Sequence, residues 1–558
     1  MSKNLGPVRG SKGRKNSHKR QFIGLGLLPA AGGLVLAAAP AAHAFQVYDG
    51  SSAGNNLEIN LDITASYTGL YRVGKPSPIL AGPANANGNM GDANFRHGLV
   101  GNLFSVLPVL DIKDGQAGLH FSGEYYINTV YLQHNQNNIP YETNSFTKET
   151  RNADGHNGRM LDAFAYDSWS FGNGQEFTLK AGQQTLFWGQ SLFSTNGISG
   201  GQAAVDVITA QNLVNPQAQQ VFLPVGQIVA TYQPNSTYTI QGYYQYQWIP
   251  YNLAGVGSYF STSDVTGPGA QPLNLGTTLA PQTKALTPER QNGQFGLSLQ
   301  AQYGNYDAGV FVERYDAKTP VLATDINLVG IPFPPYFIPA PGSTYHLIYP
   351  RDIWLYGTSL STTIGATNVA GEVSLRTHNP LASPGPSGTP FNGFNTGNAN
   401  SNPAYPVGNT VTALANAIYG SPALKYDPGG ITLLGEVEYD KLLRVTANKA
   451  ALQPGRTNDA MSINAEVIPA FFEVLPNLEL QFPVSLNYVV AGDSRVQSTM
   501  NHGTGGYSFG ISATYRENWN AALSYVGYFG AASTNPLNPE VAGSPDRAYI
   551  SLNLNHTF

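Results

Sequence analysis

The chain has no cysteine among its 558 residues, which removes disulfides and thiolate metal ligands from consideration. Charge is also scarce. Asp, Glu, Lys and Arg together make 11% of the residues, against roughly 25% in an average soluble domain. Past the N-terminal segment no run reaches the ~18 consecutive apolar residues of a membrane helix. Mean hydropathy is −0.19, so a bundle of membrane helices is excluded. Convincing 3.6-residue periodicity is scarce too. What the chain does hold is Gly (62), Tyr (32) and Phe (25), a composition suited to strands that face lipid on one side and carry aromatic rings at their ends.

The charge is unevenly placed. Residues 1–44 carry seven basic side chains, Lys3, Arg9, Lys12, Arg14, Lys15, Lys19 and Arg20, and no acidic one. An apolar stretch from Phe22 to Ala39 follows, and then Ala42-His43-Ala44 places small residues at −3 and −1 of a cleavage site. This is the form of a secretory signal. The expected organisation is therefore a signal segment at 1–44 and a single domain at 45–558. Without those seven, 22 of the 29 basic residues remain against 34 acidic ones, a net charge of −12. A chain so acidic has no electrostatic means of holding nucleic acid, and none is expected as a partner.

Period-two alternation runs through the rest. In Leu57-Glu58-Ile59-Asn60-Leu61-Asp62-Ile63-Thr64 the odd positions are apolar and the even ones polar, so such a strand has one greasy and one wet face. Eighteen segments of this kind can be read between 57 and 558. Tight turns such as Asp114-Gly115, Asn173-Gly174 and Gly304-Asn305 alternate with long links such as 74–100, 188–224, 250–292 and 317–350. Strict short–long alternation over an even strand count predicts an all-β fold: a closed antiparallel transmembrane β-barrel of about 18 strands, with periplasmic termini and long extracellular loops. Closure also removes the edges an open sheet this wide would expose. Only about a dozen residues of the expected mature chain precede Leu57, so no plug domain is expected ahead of the first strand. The last strand alternates from Ala548 and ends on Phe558, which looks like the signal read by the barrel-insertion machinery. Outer-membrane lipid and lipopolysaccharide are the expected surroundings.

Taking the apolar parity as outward leaves Ser, Thr, Asn, Gln and acids inside. Lumen-lining candidates are Glu124, Lys180, Gln245, Gln300, Glu372, Arg376, Glu436 and Glu466. Glu58, Asp62, Glu438, Glu479 and Arg516 also carry the inward parity. The excess is acidic, so a water-filled path would favour neutral or cationic solutes. Alternatively, these charges pair across the wall and hold the barrel's shape. The segment at 160–172 has ambiguous parity. Loop 188–224 is long enough to fold into the bore. Loop 317–350 holds the apolar run Ile331-Pro332-Phe333-Pro334-Pro335-Tyr336-Phe337. There Phe333, Tyr336 and Phe337 could meet an apolar solute or pack in the mouth as a plug.

Catalytic signals are few, and no catalytic residue, cofactor or metal is expected. Gly506-Tyr507-Ser508-Phe509-Gly510 fits G-x-S-x-G, but that pattern needs a strand-to-helix elbow and here continues as strand. His120 and Glu124 share an inward face, within reach for a metal or an acid–base pair, although a hydrogen-bonded wall histidine accounts for them as well. No H-E-x-x-H, phosphate loop or calcium loop is present.

Several stretches, taken as a set, resemble one family. They are Leu179-Lys180-Ala181-Gly182-Gln183-Gln184 with Phe187-Trp188-Gly189-Gln190-Ser191, Asn196-Gly197-Ile198, Tyr259-Phe260-Ser261-Thr262-Ser263-Asp264 and Tyr349-Pro350-Arg351-Asp352-Ile353. Gly371-Glu372-Val373-Ser374 and Leu434-Gly435-Glu436-Val437 complete the set. Together they are similar to the Gram-negative outer-membrane proteins catalogued as domain of unknown function 1302. Ser263, where Asn is usual, and 421–429 depart from the pattern. The resemblance implies a barrel, and it implies company with a periplasmic lipid-carrier-like protein and an inner-membrane exporter. It supplies no functional residues. The expected function is an outer-membrane conduit for small hydrophobic or amphiphilic solutes. The alternatives are a general diffusion porin, a lipase-like barrel enzyme, or a structural or adhesive surface protein.

Overall fold

The computed structural model describes residues 45–50, 54–139, 143–213, 216–288, 292–332, 337–383, 403–423, 429–533 and 544–558. The expected signal segment lies outside these residues. Eighteen strands form one closed antiparallel barrel. They are β1 (Leu57–Arg72), β2 (Gly98–Asp114), β3 (Ala117–Asn128), β4 (His156–Phe171), β5 (Gln175–Gln184) and β6 (Val225–Gln233). Then come β7 (Tyr238–Gln245), β8 (Gln294–Tyr303), β9 (Tyr306–Tyr315), β10 (Ile353–Ile364), β11 (Thr367–Pro380) and β12 (Val407–Gly420). The last are β13 (Ile431–Ala447), β14 (Asp459–Leu475), β15 (Leu478–Gln481 and Val484–Ala491), β16 (Gly505–Tyr515), β17 (Trp519–Phe529) and β18 (Tyr549–Thr557).

Each strand pairs with the next, and β18 returns to β1 from Thr64↔Thr557 to Arg72↔Tyr549, so the ladder has no open side. Below the end of β18, a short strand at Phe45–Asp49 pairs with the lower part of β1. The interruption of β15 falls at Pro483, which has no N–H to give to the ladder. Tight turns behave as their residues dictate, with positive φ at Gly115, Asn173, Gly304 and Gly365. The β16–β17 turn uses positive φ at Arg516 and Glu517 instead. Arg516 is thus a turn residue, with its guanidinium over the ring of Tyr515; the inward parity assigned to it extends the strand one residue too far.

The outer face is apolar and uncovered. Phe104, Tyr125, Leu297, Leu360, Phe509 and Leu523 all stand exposed. In water such a surface would aggregate; against hydrocarbon each such side chain gains about 1.5–3 kcal/mol. Aromatic rings flank the short turns, with Phe171, Tyr303, Tyr306, Tyr515 and Trp519 exposed, as at a membrane interface. His556, on the outer face of β18, stacks on Trp519 with ring centroids 4.1 Å apart. No helix among the described residues is long and apolar enough to cross a membrane, which says nothing against crossing by strands.

The ambiguous parity of β4 has a local cause. Phe121 pairs with Ala163 but Gly123 pairs with Met160, so Ser122 alone opposes Leu161 and Asp162. This bulge shifts the alternation by one residue. Beyond it Asp162, Phe164 and Tyr166 lie on the inner face, sharing it with His120 and Lys180 through the pairs His120↔Phe164 and Tyr166↔Lys180.

Candidate functional site: a loop caged in the lumen

The segment between β5 and β6 does not stay outside. It crosses the bore and is held by side chains of the opposite wall. Gln190 donates its backbone N–H to Glu372 Oε2 at 2.6 Å, and Ile198 donates its own to Glu372 Oε1 at 2.7 Å. Glu436, two strands further on, accepts the N–H groups of Leu192 (2.6 Å), Phe193 (3.1 Å) and Ser194 (2.8 Å). Arg376 takes the other end of the peptide dipoles, donating to the carbonyls of Asn196 and Gly197, each at 2.6 Å. The wall thus presents carboxylates to loop N–H groups and a guanidinium to loop carbonyls. Hydrogen bonds to charged partners stabilise by about 1.5–3 kcal/mol each.

Two glycines make this approach possible. Gly189 has φ +89, and a Cβ there would collide with Glu372 Oε2. At Gly197 a Cβ would collide with Glu372 Oε1. A side chain at either position would push the loop off its carboxylate.

Further anchors secure the rest of the loop. Asp206 caps the short helix Val207–Asn212 by accepting from Thr209 N at 2.7 Å. It also receives Arg159 from β4 and Asn252 Nδ2, the latter at 2.9 Å. Arg159 donates in addition to Glu124 Oε2 at 2.8 Å and Gln220 O at 3.0 Å, while Gln220 Nε2 donates to Glu124 Oε1 at 2.6 Å. Gln245 Nε2 donates to Gln202 O at 2.8 Å, and Lys318 Nζ to Gly201 O at 2.6 Å. Lys318 lies just past the end of β9. Burial lowers its ammonium to about 8, against the pull of Glu313 and Asp316. Ala203, Val205, Val207, Ala210, Val221 and Phe222 form the loop's own apolar core.

All eight lumen candidates therefore stand on the inner face, but in different settings. Glu124, Gln245, Glu372, Arg376 and Glu436 hold the inward loop. Lys180 lies over the ring of Phe164, 5.6 Å from its centroid. Gln300 borders a cavity at the short-turn end. Glu466 is 3% exposed, and its Oε1 has no hydrogen-bond partner. Among these candidates Glu124 pairs directly with Arg159 on the neighbouring strand, Glu372, Arg376 and Glu436 serve the loop, and Lys180 and Glu466 do neither. Glu313, Asp440 and Arg159 join this network without having been read as lumen residues. Glu313 sits in a segment apolar on both faces, since Phe311 points inward with it. Arg159 precedes the segment read at 160–172, and the strand begins earlier, at His156. Asp440 accepts from Asn196 Nδ2 at 3.0 Å and had only its parity with Glu436 and Glu438 to mark it.

Phe333 and Tyr336 lie outside the described residues. Phe337 sits in a small hairpin, Leu328–Gly330 against Phe337–Pro339, and is 60% exposed. Only the tip of this loop is exposed; lower down, Ala323 and Ile348 pack against Tyr405 and Val407, and Tyr345 packs against Val265, Leu273 and Ala280. His120 Nδ1 and Asp111 Oδ1 lie 2.6 Å apart, while Glu124 is engaged by Arg159; the two do not form a pair. Ser508 Oγ lies 2.7 Å from Ser485 Oγ on the neighbouring strand, with no elbow.

Above the caged loop, other outer loops pack over the bore. Asp92 lies between Arg72 (2.9 Å) and Arg547 (3.0 Å). Burial pushes its carboxyl up, but Arg547 and Arg72 more than offset this and hold it below the usual range. Around them Phe95, Tyr131, Phe146, Tyr259, Phe260 and Tyr549 form an aromatic cluster. On the lower part of the β16–β18 and β1 wall, the inward Thr64, Ser66, Ser508, Ser512, Ser524 and Asn555 remain half-exposed, so water reaches a lane of small polar side chains beside the loop.

An 18-stranded barrel whose lumen is crossed by one of its own loops defines a structural class. The family described as "Protein of unknown function (DUF1302)" matches residues 25–558, and the chain belongs to it. Of the segments that carry the resemblance, Trp188-Gly189-Gln190, Asn196-Gly197-Ile198, Glu372 and Glu436 build the cage, while Tyr259 and Phe260 stand in the aromatic cluster of the outer loops. Among solved structures, the chain is similar to Acinetobacter baumannii OccAB1 (9% identity, 90% of this chain and 96% of that one, TM-score 0.44). It is also similar to Pseudomonas aeruginosa OpdK with vanillate (7%, 90% and 98%, TM-score 0.39) and to a BenF-like porin from Pseudomonas fluorescens Pf-5 (10%, 90% and 98%, TM-score 0.40). No curated protein matches the sequence.

Proposed function

We propose that this protein is an outer-membrane channel narrowed by its own loop, a non-enzymatic conduit for small hydrophobic or amphiphilic solutes. The observation that carries the reading is the segment from Gln190 to Ile198, stretched across the bore and held by Glu372 and Glu436. A caged loop narrows the water-filled path to a lane in which solute and wall come into contact. The apolar tip at Val329 and Phe337 supports a greasy solute at the outer surface. A periplasmic lipid-carrier-like protein and an inner-membrane exporter fit as partners that hand such a solute on.

The test is single-channel recording of the purified chain in planar bilayers, paired with uptake and efflux assays in a deletion strain. The reading expects small conductance, a preference for cations over anions, and altered handling of hydrophobic compounds by the deletion strain. Large, weakly selective conductance that ignores the loop would support the general porin instead. Ester hydrolysis abolished by Ser508→Ala would support an enzyme.

A further inference from the structure

At the short-turn end of the barrel, beneath Trp188, Gly189 and Gln190, lies a cavity of about 280 Å³. This is near the lower bound for small-molecule pockets, about 300 Å³, and suits a single ring. The architecture places this end in the periplasm.

The lining has a consistent chemistry. Five carboxamides border it: that of Asn235 is used within the turn, its Oδ1 accepting from Thr237 N at 2.9 Å, and those of Gln190, Gln233, Gln300 and Gln302 stand with the hydroxyls of Thr237 and Thr239 between them. The ladder puts Gln233, Thr239, Gln300 and Gln302 on the inner face, through pairs such as Thr239↔Gln300 and Gln241↔Ser298. None of the four glutamine carboxamides has a side-chain hydrogen bond among the described residues, so their donors and acceptors are free. Gln190 is also fixed in place: its N–H goes to Glu372, and its carbonyl accepts from Asn416 Nδ2 at 2.7 Å. Its side chain is therefore presented by a backbone that does not have to order on binding. Half-buried Phe187 supplies ring surface beside the almost fully buried Trp188 and Phe311, and Asp307 is the one charged residue in the lining.

An apolar ligand would strip water from these carboxamides and return nothing. An anion would find no cation, and a cation would find a single carboxylate. A hydroxylated, uncharged ring meets both needs, since hydroxyls donate and accept as carboxamides do and ring C–H faces can lie on aromatic surface.

We propose that this cavity binds an uncharged polyhydroxy group of monosaccharide size, either as a free solute or as the headgroup of an amphiphile. The proposal rests on the conduit reading for its physiological meaning, but its binding chemistry can be measured apart from conduction. In planar bilayers holding the full chain, glucose, glucosamine and gluconate are added in turn to the short-turn side, followed by hexyl glucoside below its micelle-forming concentration. The expected result is concentration-dependent block by glucose and weaker block by its charged counterparts. Block by hexyl glucoside at lower concentration than glucose assigns the site to amphiphile headgroups; equal potency assigns it to free solutes. Gln300→Leu with Gln302→Leu should weaken the blocking constant at least tenfold, and Gln190→Ala on the loop should act in the same direction should the wall variant fail to insert. No block by either glucoside or glucose, or block unchanged in an inserted variant, overturns the proposal.

If the chain conducts no current, the conduit reading fails by itself. The pocket is then tested by glucose titration of tryptophan fluorescence in a zwitterionic detergent without sugar headgroups. A saturable change lost with Gln300 and Gln302 supports the site, and a flat titration overturns it.

Discussion

Ser194, in the loop that follows β5, donates its backbone N–H to Glu436 on β13 at 2.8 Å, across the lumen from a position 242 residues earlier. Leu192 and Phe193 share the same carboxylate. Three consecutive amides thus converge on one wall side chain, an anion nest filled from within the chain. Glu436→Ala would leave these amides unpartnered, at about 1–3 kcal/mol each. The loop should detach and the single-channel conductance rise, while Glu436→Gln, which keeps one acceptor, should fall between. An unchanged conductance in Glu436→Ala would mean that the loop is held elsewhere.

Gly189→Ala tests the same cage from the loop side. The residue has φ +89, and its Cβ would meet Glu372 Oε2. Strain at such a position costs about 1–3 kcal/mol. The expected outcome is a noisier, larger current with the barrel's thermal transition little changed. A quiet current of wild-type size would show that the loop tolerates the side chain.

Arg159 is a hub whose loss leaves two acids unpaired. It bonds Asp206 and Glu124 and also reaches Thr209 Oγ1 at 2.9 Å. Removing one partner from a buried ion pair costs about 3–5 kcal/mol. Arg159→Ala should lower the midpoint of thermal unfolding and speed proteolysis between 203 and 222. Removing Glu124 as well should restore part of the loss, because fewer charges are then stranded.

Asp154, in the outer turn Arg151–Gly155, makes a pH prediction. It is buried, with Oδ2 accepting from Gly255 N at 2.8 Å and Oδ1 without a partner. Burial raises its carboxyl to about 7. A carboxyl raised in the folded state favours folding at pH values below its unfolded value, near 4, and that advantage fades as pH rises through about 7. The full effect is on the order of 4 kcal/mol. The packing of 148–155 against 255–258 should therefore be tighter at pH 5.5 than at 8.5, as read by limited proteolysis. Asp154→Asn should remove the difference, and a dependence that survives the substitution would assign it to another group.

The barrel was legible because its signals are local and repeat. Alternation in Leu57–Thr64 sets two faces whatever lies opposite, and Asp114-Gly115 or Gly304-Asn305 sets a tight turn from backbone preference alone. The inner face of β11 and β13 could be read the same way, since Glu372 and Glu436 interrupt apolar runs at even spacing. Parity failed where geometry is not periodic: at the bulge opposite Ser122, which turns β4, and at Arg516, where the strand becomes a turn. Asp440 and Arg159 escaped notice because their importance comes from partners distant in sequence.

By itself the sequence determined the strand count, the direction of the faces wherever the alternation is unbroken, and the exclusion of thiol chemistry, since these follow from composition and from a two-residue period. Only the tertiary structure decided that the loop after β5 turns inward, because hydrogen bonds between its peptides and Glu372, Arg376 and Glu436 exist only once the sheet has closed and brought opposite walls within reach of one segment.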